Sequence, residues 1–162
     1  MNIYTGIVTV LAVILVSIGL LLNLAGKATG KYRRKDLMSA NEKEFFGRLL
    51  SALPGHFVFP QVAMSAILEA SATNANVKHQ DRLRIAQQRI DYLICNSACH
   101  TVAVIELDDR THNKKKDDIR DSRLAQAEIP TIRFESRQKP SIQDIAAAIA
   151  EVEKRTALVS PV

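Results

Sequence analysis

The sequence predicts an α/β domain, an α-β-β-β-α-β-α core around a mixed sheet, preceded by one membrane-spanning helix. Three observations carry this expectation. Two β-rich runs, residues 90–95 and 101–108, stand close enough together to form a hairpin. Apolar residues at helical spacing follow two serines that can act as helix caps, Ser39 and Ser141. An uncharged apolar stretch opens the chain.

The elements of the core follow in order. Ser39-Ala40-Asn41-Glu42 has the form of a capping box, in which Glu42 reaches back to the Ser39 amide. Phe45, Phe46, Leu49, Leu50 and Leu53 continue the helix, and Pro54-Gly55 ends it. Residues 57–64 are β-rich, and Pro60 among them predicts an edge or bulged strand. Residues 71–80 are small and polar and read as a loop, with a short helical piece over 81–86. The hairpin strands come next, joined through a turn at Asn96-Ser97. A charged loop over 109–118, a helix over 119–127, a short strand over 129–134 and a helix from Ser141 complete the core. That last helix carries Ile142, Ile145, Ala146, Ile149 and Val152 on one face, and the tail from Thr156 reads as frayed.

No charged side chain precedes Lys27. Residues 4–25 contain neither charge nor proline, and about 20 such residues at about 1.5 Å each span a bilayer core of about 30 Å. Lys27, Lys31, Arg33, Arg34 and Lys35 follow at once, so the positive-inside bias places the rest of the chain in the cytoplasm. A cleaved signal peptide would need a basic start and a shorter apolar core. The expected layout is an anchor over 1–26, a basic linker over 27–36, a globular domain over 37–155 and a flexible tail over 156–162.

The net charge of +5 comes almost wholly from the linker, since residues 27–36 carry +4. The remaining near-neutral domain gives no electrostatic argument for a nucleic-acid-binding surface, and attraction to anionic lipid accounts for the basic patch. Cys95 and Cys99 would stay thiols in a reducing compartment. With His100 they fall short of the four ligands of a structural zinc site.

The segment Ile105-Glu106-Leu107-Asp108-Asp109-Arg110-Thr111-His112 carries the most chemistry. Glu106 and Asp108 lie two apart on one strand and therefore point to one face. Such carboxylates repel unless a positive group sits between them. Oxygen donors suit Mg²⁺ or Mn²⁺, and Asp91 on the partner strand offers a third carboxylate. His112, just past the strand, could act as a ligand or as a base near neutral pH. This set suits metal-assisted hydrolysis of a phosphodiester. Acids at strand ends are also often plain solvated loop starters, as Asp109 reads. The lysine run over 114–116 reads as a wet loop or a contact to a phosphate backbone.

Ile90-Asp91-Tyr92, the strand end above, Arg120-Asp121 and the segment Ile129-Pro130-Thr131-Ile132-Arg133-Phe134 together resemble the restriction-endonuclease-like, PD-(D/E)XK superfamily. Within it the likeness is to the Vsr-like branch, with its Glu-x-Asp-x-x-x-His strand end. More narrowly, residues 37–149 look like the Domain of Unknown Function 2726 family, whose members often carry an N-terminal anchor. The resemblance implies a restriction-endonuclease-like fold and a Mg²⁺- or Mn²⁺-dependent nuclease-like activity. Asp91 and Glu106 match the two metal-binding acids, and Asp108 and His112 match the Asp and His of the Vsr-like strand end. Glu42 matches an acid of the first core helix, while Asp121 and Arg133 match polar supporting positions of the following helix and strand. The partners implied are membrane lipid, nucleic acid and a second copy of the chain, because such domains often pair to cut two strands. No small-molecule cofactor is expected. One position departs from the wider pattern: the superfamily places a lysine two residues after the glutamate, where this chain has Asp108. A cation from elsewhere (Arg89, Lys114 or Arg123), a histidine-type site, or an inactive domain are the resulting alternatives. An inactive nuclease fold would act as a binding or scaffold domain at the membrane.

Overall fold

The computed structural model describes residues 2–25, 31–108 and 114–159. They fall into two units, residues 1–35 and 36–162.

The first unit holds helix α1, Ile3–Ala25. Its described side chains cover residues 4–19, and the large apolar ones among them, such as Tyr4, Leu15 and Val16, are exposed. Among the described residues no helix is long and apolar enough to cross a membrane. As described, α1 does not by itself amount to the span expected for residues 1–26.

The second unit is a four-stranded sheet in the order β1-β2-β3-β4 with helices packed on it. Strand β1 is Phe57–Ala63, β2 is Arg89–Cys95, β3 is Thr101–Asp108 and β4 is Thr131–Glu135. The first three strands run antiparallel in succession, and β4 lies parallel to β3. A parallel neighbour needs a crossover connection, and helix α4, Lys114–Gln126, lies in that connection. The remaining helices are α2, Ala40–Ala52, α3, Ala75–Ala86, and α5, Ile142–Val159.

Two apolar clusters hold this unit together. In the first, Phe45 and Leu49 of α2 and Ile145 and Ile149 of α5 meet Tyr92, Ile94, Ala103, Ile105 and Leu107 of the sheet. Phe45 meets the Tyr92 ring edge-on, with centroids 5.5 Å apart. In the second, Met64, Ile85 of α3 and Leu124 of α4 pack with Ile90, Leu93, Cys95 and Val104. Ala103, Ile105 and Leu107 of β3 all belong to the first cluster, while Val104 belongs to the second. The alternation of side chains along a strand thus sends Glu106 and Asp108 towards the α4 side.

The expected capping box is present. Ser39 Oγ accepts from the Glu42 amide, and Glu42 Oε2 accepts from the Ser39 amide at 2.6 Å. Pro60 lies within β1 as foreseen, and the irregularity falls on the next residue, where Gln61 adopts a φ of 55°. Three boundaries differ from expectation. Helix α3 begins at Ala75 because Asn74 Oδ1 caps the amides of Asn76 and Val77, so the polar run over 71–80 is largely helical. Helix α4 starts at Lys114, inside the segment expected to be a loop. Helix α5 runs on to Val159, past the expected start of the tail at Thr156. Cys95 is buried and Cys99 exposed, and both are free thiols.

Candidate functional site

The face of the sheet towards α4 collects the acids singled out above. Tyr92 pairs with Ile105, and continuing that antiparallel register by one place sets Asp91 against Glu106. Asp91 Oδ2 accepts from the Leu107 amide at 2.9 Å, which fixes its carboxylate on β3. Glu106 is the one charged residue fully buried among the described residues, at 0% exposure. Neither of its carboxylate oxygens accepts a hydrogen bond. Burial, and then the neighbouring Asp91, push the Glu106 carboxyl up to about 8, and the nearby Arg120 and Arg133 only partly oppose this.

The positive charge expected between the carboxylates is there, supplied by arginines of the chain itself. Asp117, Arg120, Asp121 and Leu124 recur at the three- and four-residue spacing of one helix face on α4. Arg120 Nη2 lies 2.9 Å from Glu106 Oε2 and 3.0 Å from Asp117 Oδ1. The contact with Glu106 is an ion pair by distance and lacks the alignment of a hydrogen bond, and Arg120 Nε is buried with no acceptor. On β4, Glu106 pairs in register with Arg133. Arg133 turns to the two other acids: its Nη1 donates to both oxygens of Asp108, at 2.7 and 2.9 Å, and its Nε and Nη2 donate to Asp121 at 3.0 and 2.8 Å. These bonds outweigh burial and raise the Arg133 guanidinium further above its ordinary value.

The structure therefore brings together Asp91, Glu106, Asp108, Asp121 and Arg133, all named from the sequence, and adds Arg120. Arg120 lies in a segment of the family likeness, and the sequence alone gives it no role. The spacing of residues 117, 120, 121 and 124 is the signal for it, and it emerges once the helix is known to begin at Lys114. The three cations considered as substitutes for the missing lysine are placed otherwise. Arg89 donates to the Gln61 carbonyl at 3.2 Å and Arg123 to Gln88 Oε1 at 2.7 Å. The side chain of Lys114, like His112 itself, lies outside the described residues. Glu42 performs its capping role, and its second oxygen accepts from Gln61 Nε2 at 3.0 Å.

Among the described residues no group of three His, Cys, Asp or Glu side chains is placed to hold a metal ion. Both oxygens of Asp108 accept from Arg133, so an ion there would share them with the guanidinium. Asp91 and Glu106 do fit a hard divalent ion in donor type, and the buried Glu106 oxygens that accept no hydrogen bond are the feature such an ion would satisfy.

No curated protein and no solved structure matches the chain. A family model described as Protein of unknown function (DUF2726) matches residues 34–152, which include α2, the whole sheet, α3, α4 and the site. The chain belongs to that family.

Proposed function

We propose that the domain is nuclease-like and hydrolyses phosphodiester bonds of nucleic acid with a divalent ion, Mg²⁺ or Mn²⁺, held by Asp91 and Glu106. The observation that carries this reading is Glu106: a fully buried carboxylate opposite a second one, with both oxygens free of hydrogen bonds. Burying a carboxylate with neither oxygen hydrogen-bonded is costly even beside the Arg120 guanidinium. The order of α2, three antiparallel strands with α3 between the first two, α4 and a parallel fourth strand supports the restriction-endonuclease-like assignment. A divalent ion would polarise a phosphoryl oxygen and lower the pKa of bound water. The chain's own part is to hold Asp91 by the Leu107 amide, to keep Glu106 dry under α4, and to hold Asp108 and Asp121 on the one Arg133 guanidinium. His112 remains the proposed base.

The same reading makes α1 an anchor in the cytoplasmic membrane with the domain on the cytoplasmic side. Its 23 residues would extend about 35 Å, and the basic linker follows it. Membrane lipid, nucleic acid and a second copy are the partners this implies.

A second reading, a catalytically inactive nuclease fold serving as a binding or scaffold domain, is favoured by the arginines. Arg120 lies on Glu106 and Arg133 on Asp108, so the chain supplies counter-charges from within. Melting curves of the full chain in neutral detergent separate the two readings. The metal reading expects millimolar Mg²⁺ to raise Tm in the native chain and not in Glu106→Gln, and that substitution to abolish cleavage of single- or double-stranded DNA or RNA. No shift in the native chain rejects it and leaves the scaffold.

A further inference from the structure

Two arginines serve this site, and they differ in how far their donors are used. Arg133 uses all three of its nitrogens: Nε, Nη1 and Nη2 all donate, and two carboxylates face it. Arg120 does not. It makes one aligned hydrogen bond, to Asp117 at 3.0 Å, while its Nε is buried without an acceptor. Its Nη2 stands 2.9 Å from a Glu106 oxygen that likewise accepts no hydrogen bond. A well-optimised structural ion pair would dock the planar guanidinium fork on the carboxylate, as Arg133 does on Asp121. Arg120 and Glu106 are held in contact without being bonded to one another.

We infer that Arg120 is a resident counter-ion of the carboxylate pair, a side chain that occupies the cation's place on Glu106 and competes with a divalent ion for it. This rests on the proposed metal site and deepens it. The guanidinium is the counter-charge beside Glu106 whenever that carboxylate is ionised and no ion is bound. Asp117, on the same helix face one turn earlier, gives it a second carboxylate to hold when it leaves Glu106. A single positive charge about 4 Å from an incoming ion opposes binding strongly even at the effective dielectric of a partly wet site. Arg120 thus sets the threshold of ion concentration at which the site fills. It is a positioning residue, acting through Glu106.

The test is calorimetric titration of the full chain in neutral detergent with Mg²⁺ at pH 8.5, beside Arg120→Gln, Arg120→Lys and Glu106→Gln. Arg120→Gln is expected to bind Mg²⁺ about tenfold more tightly than the native chain, from removal of the competing charge. Arg120→Lys keeps the charge on a side chain that cannot bridge Glu106 and Asp117 together, and is expected to gain about threefold. It carries the test should the glutamine variant not fold. Glu106→Gln is expected to abolish binding. Unchanged or weaker affinity in the arginine variants, with the native chain still binding, overturns the inference and leaves the metal site standing. Binding in Arg120→Gln alone supports the inference and favours the scaffold reading of the native domain, whose carboxylate pair the arginine keeps closed to the ion. No binding in the native chain or in any variant overturns both the inference and the metal reading.

Discussion

Arg133 Nη1 reaches both carboxylate oxygens of Asp108 across the parallel pair β3 and β4, at 2.7 and 2.9 Å. The same guanidinium holds Asp121 of α4. One side chain therefore joins two strands and the helix that crosses between them. Arg133→Met should leave two half-buried acids facing one another. A fully buried pair broken this way costs about 3–5 kcal/mol. Partial exposure here discounts the loss to about 2 kcal/mol, read as a lower urea midpoint. Arg133→Lys should recover little of it, because an ammonium cannot serve both acids in the fork geometry.

The raised pKa of Glu106 fixes the sign of a pH effect in metal-free protein. A carboxyl pushed from its ordinary range up to about 8 binds a proton in the folded state that the unfolded chain has released. Stability should therefore fall as pH rises from the unfolded value through about 8, and level off beyond it. The fall should be a few kcal/mol at most. Denaturant unfolding in EDTA from pH 5 to pH 9 measures it. Glu106→Gln should remove most of that slope and be the more stable form at the alkaline end. A slope unaltered by the substitution would place the titrating group elsewhere.

Gln61 has left-handed backbone in the middle of β1 and spends its side chain on Glu42 Oε1. Ala and Gly at this position both lose that hydrogen bond, but only Gly is free of the steric cost of a positive φ. Gln61→Gly should therefore be more stable than Gln61→Ala by about 1 kcal/mol. The comparison isolates the backbone contribution, and equal midpoints would refute it.

Ser39→Ala removes the acceptor for the Glu42 amide and loosens the reciprocal bond from Glu42 to the Ser39 amide. The expected cost is about 1 kcal/mol. Because Glu42 also receives Gln61, a Ser39→Ala, Gln61→Ala double variant should depart from additivity. A double-mutant cycle on thermal midpoints would reveal this.

The core and the acids were legible in the sequence because each rests on a short-range rule. Ser39 with Glu42 marked the start of α2, and Ile145 with Ile149 marked the buried face of α5. The spacing of Glu106 and Asp108 placed both on one side of β3, and the counter-charge their repulsion demanded was foreseen as a metal ion. Its supply by Arg120 and Arg133 was not legible. It depends on the parallel pairing of β4 and on α4 beginning at Lys114, both long-range or boundary facts. The start of α3 is hard to read in the sequence for a local reason. Asn74 looked like one more small polar loop residue, whereas its carboxamide caps the helix.

Strand β1 lies at the outer edge of the sheet and bears two exposed aromatic side chains, Phe57 and Phe59. An edge of this kind is a template on which a strand of another molecule could add. Pro60, which has no amide proton to offer, and Gln61, which breaks the extended run, follow directly after Phe59. A strand added along this edge would meet a residue without an amide proton and a left-handed residue in succession. The backbone that brings the Gln61 side chain to Glu42 thus lies beside the two exposed aromatics, where an edge strand is most in need of interruption.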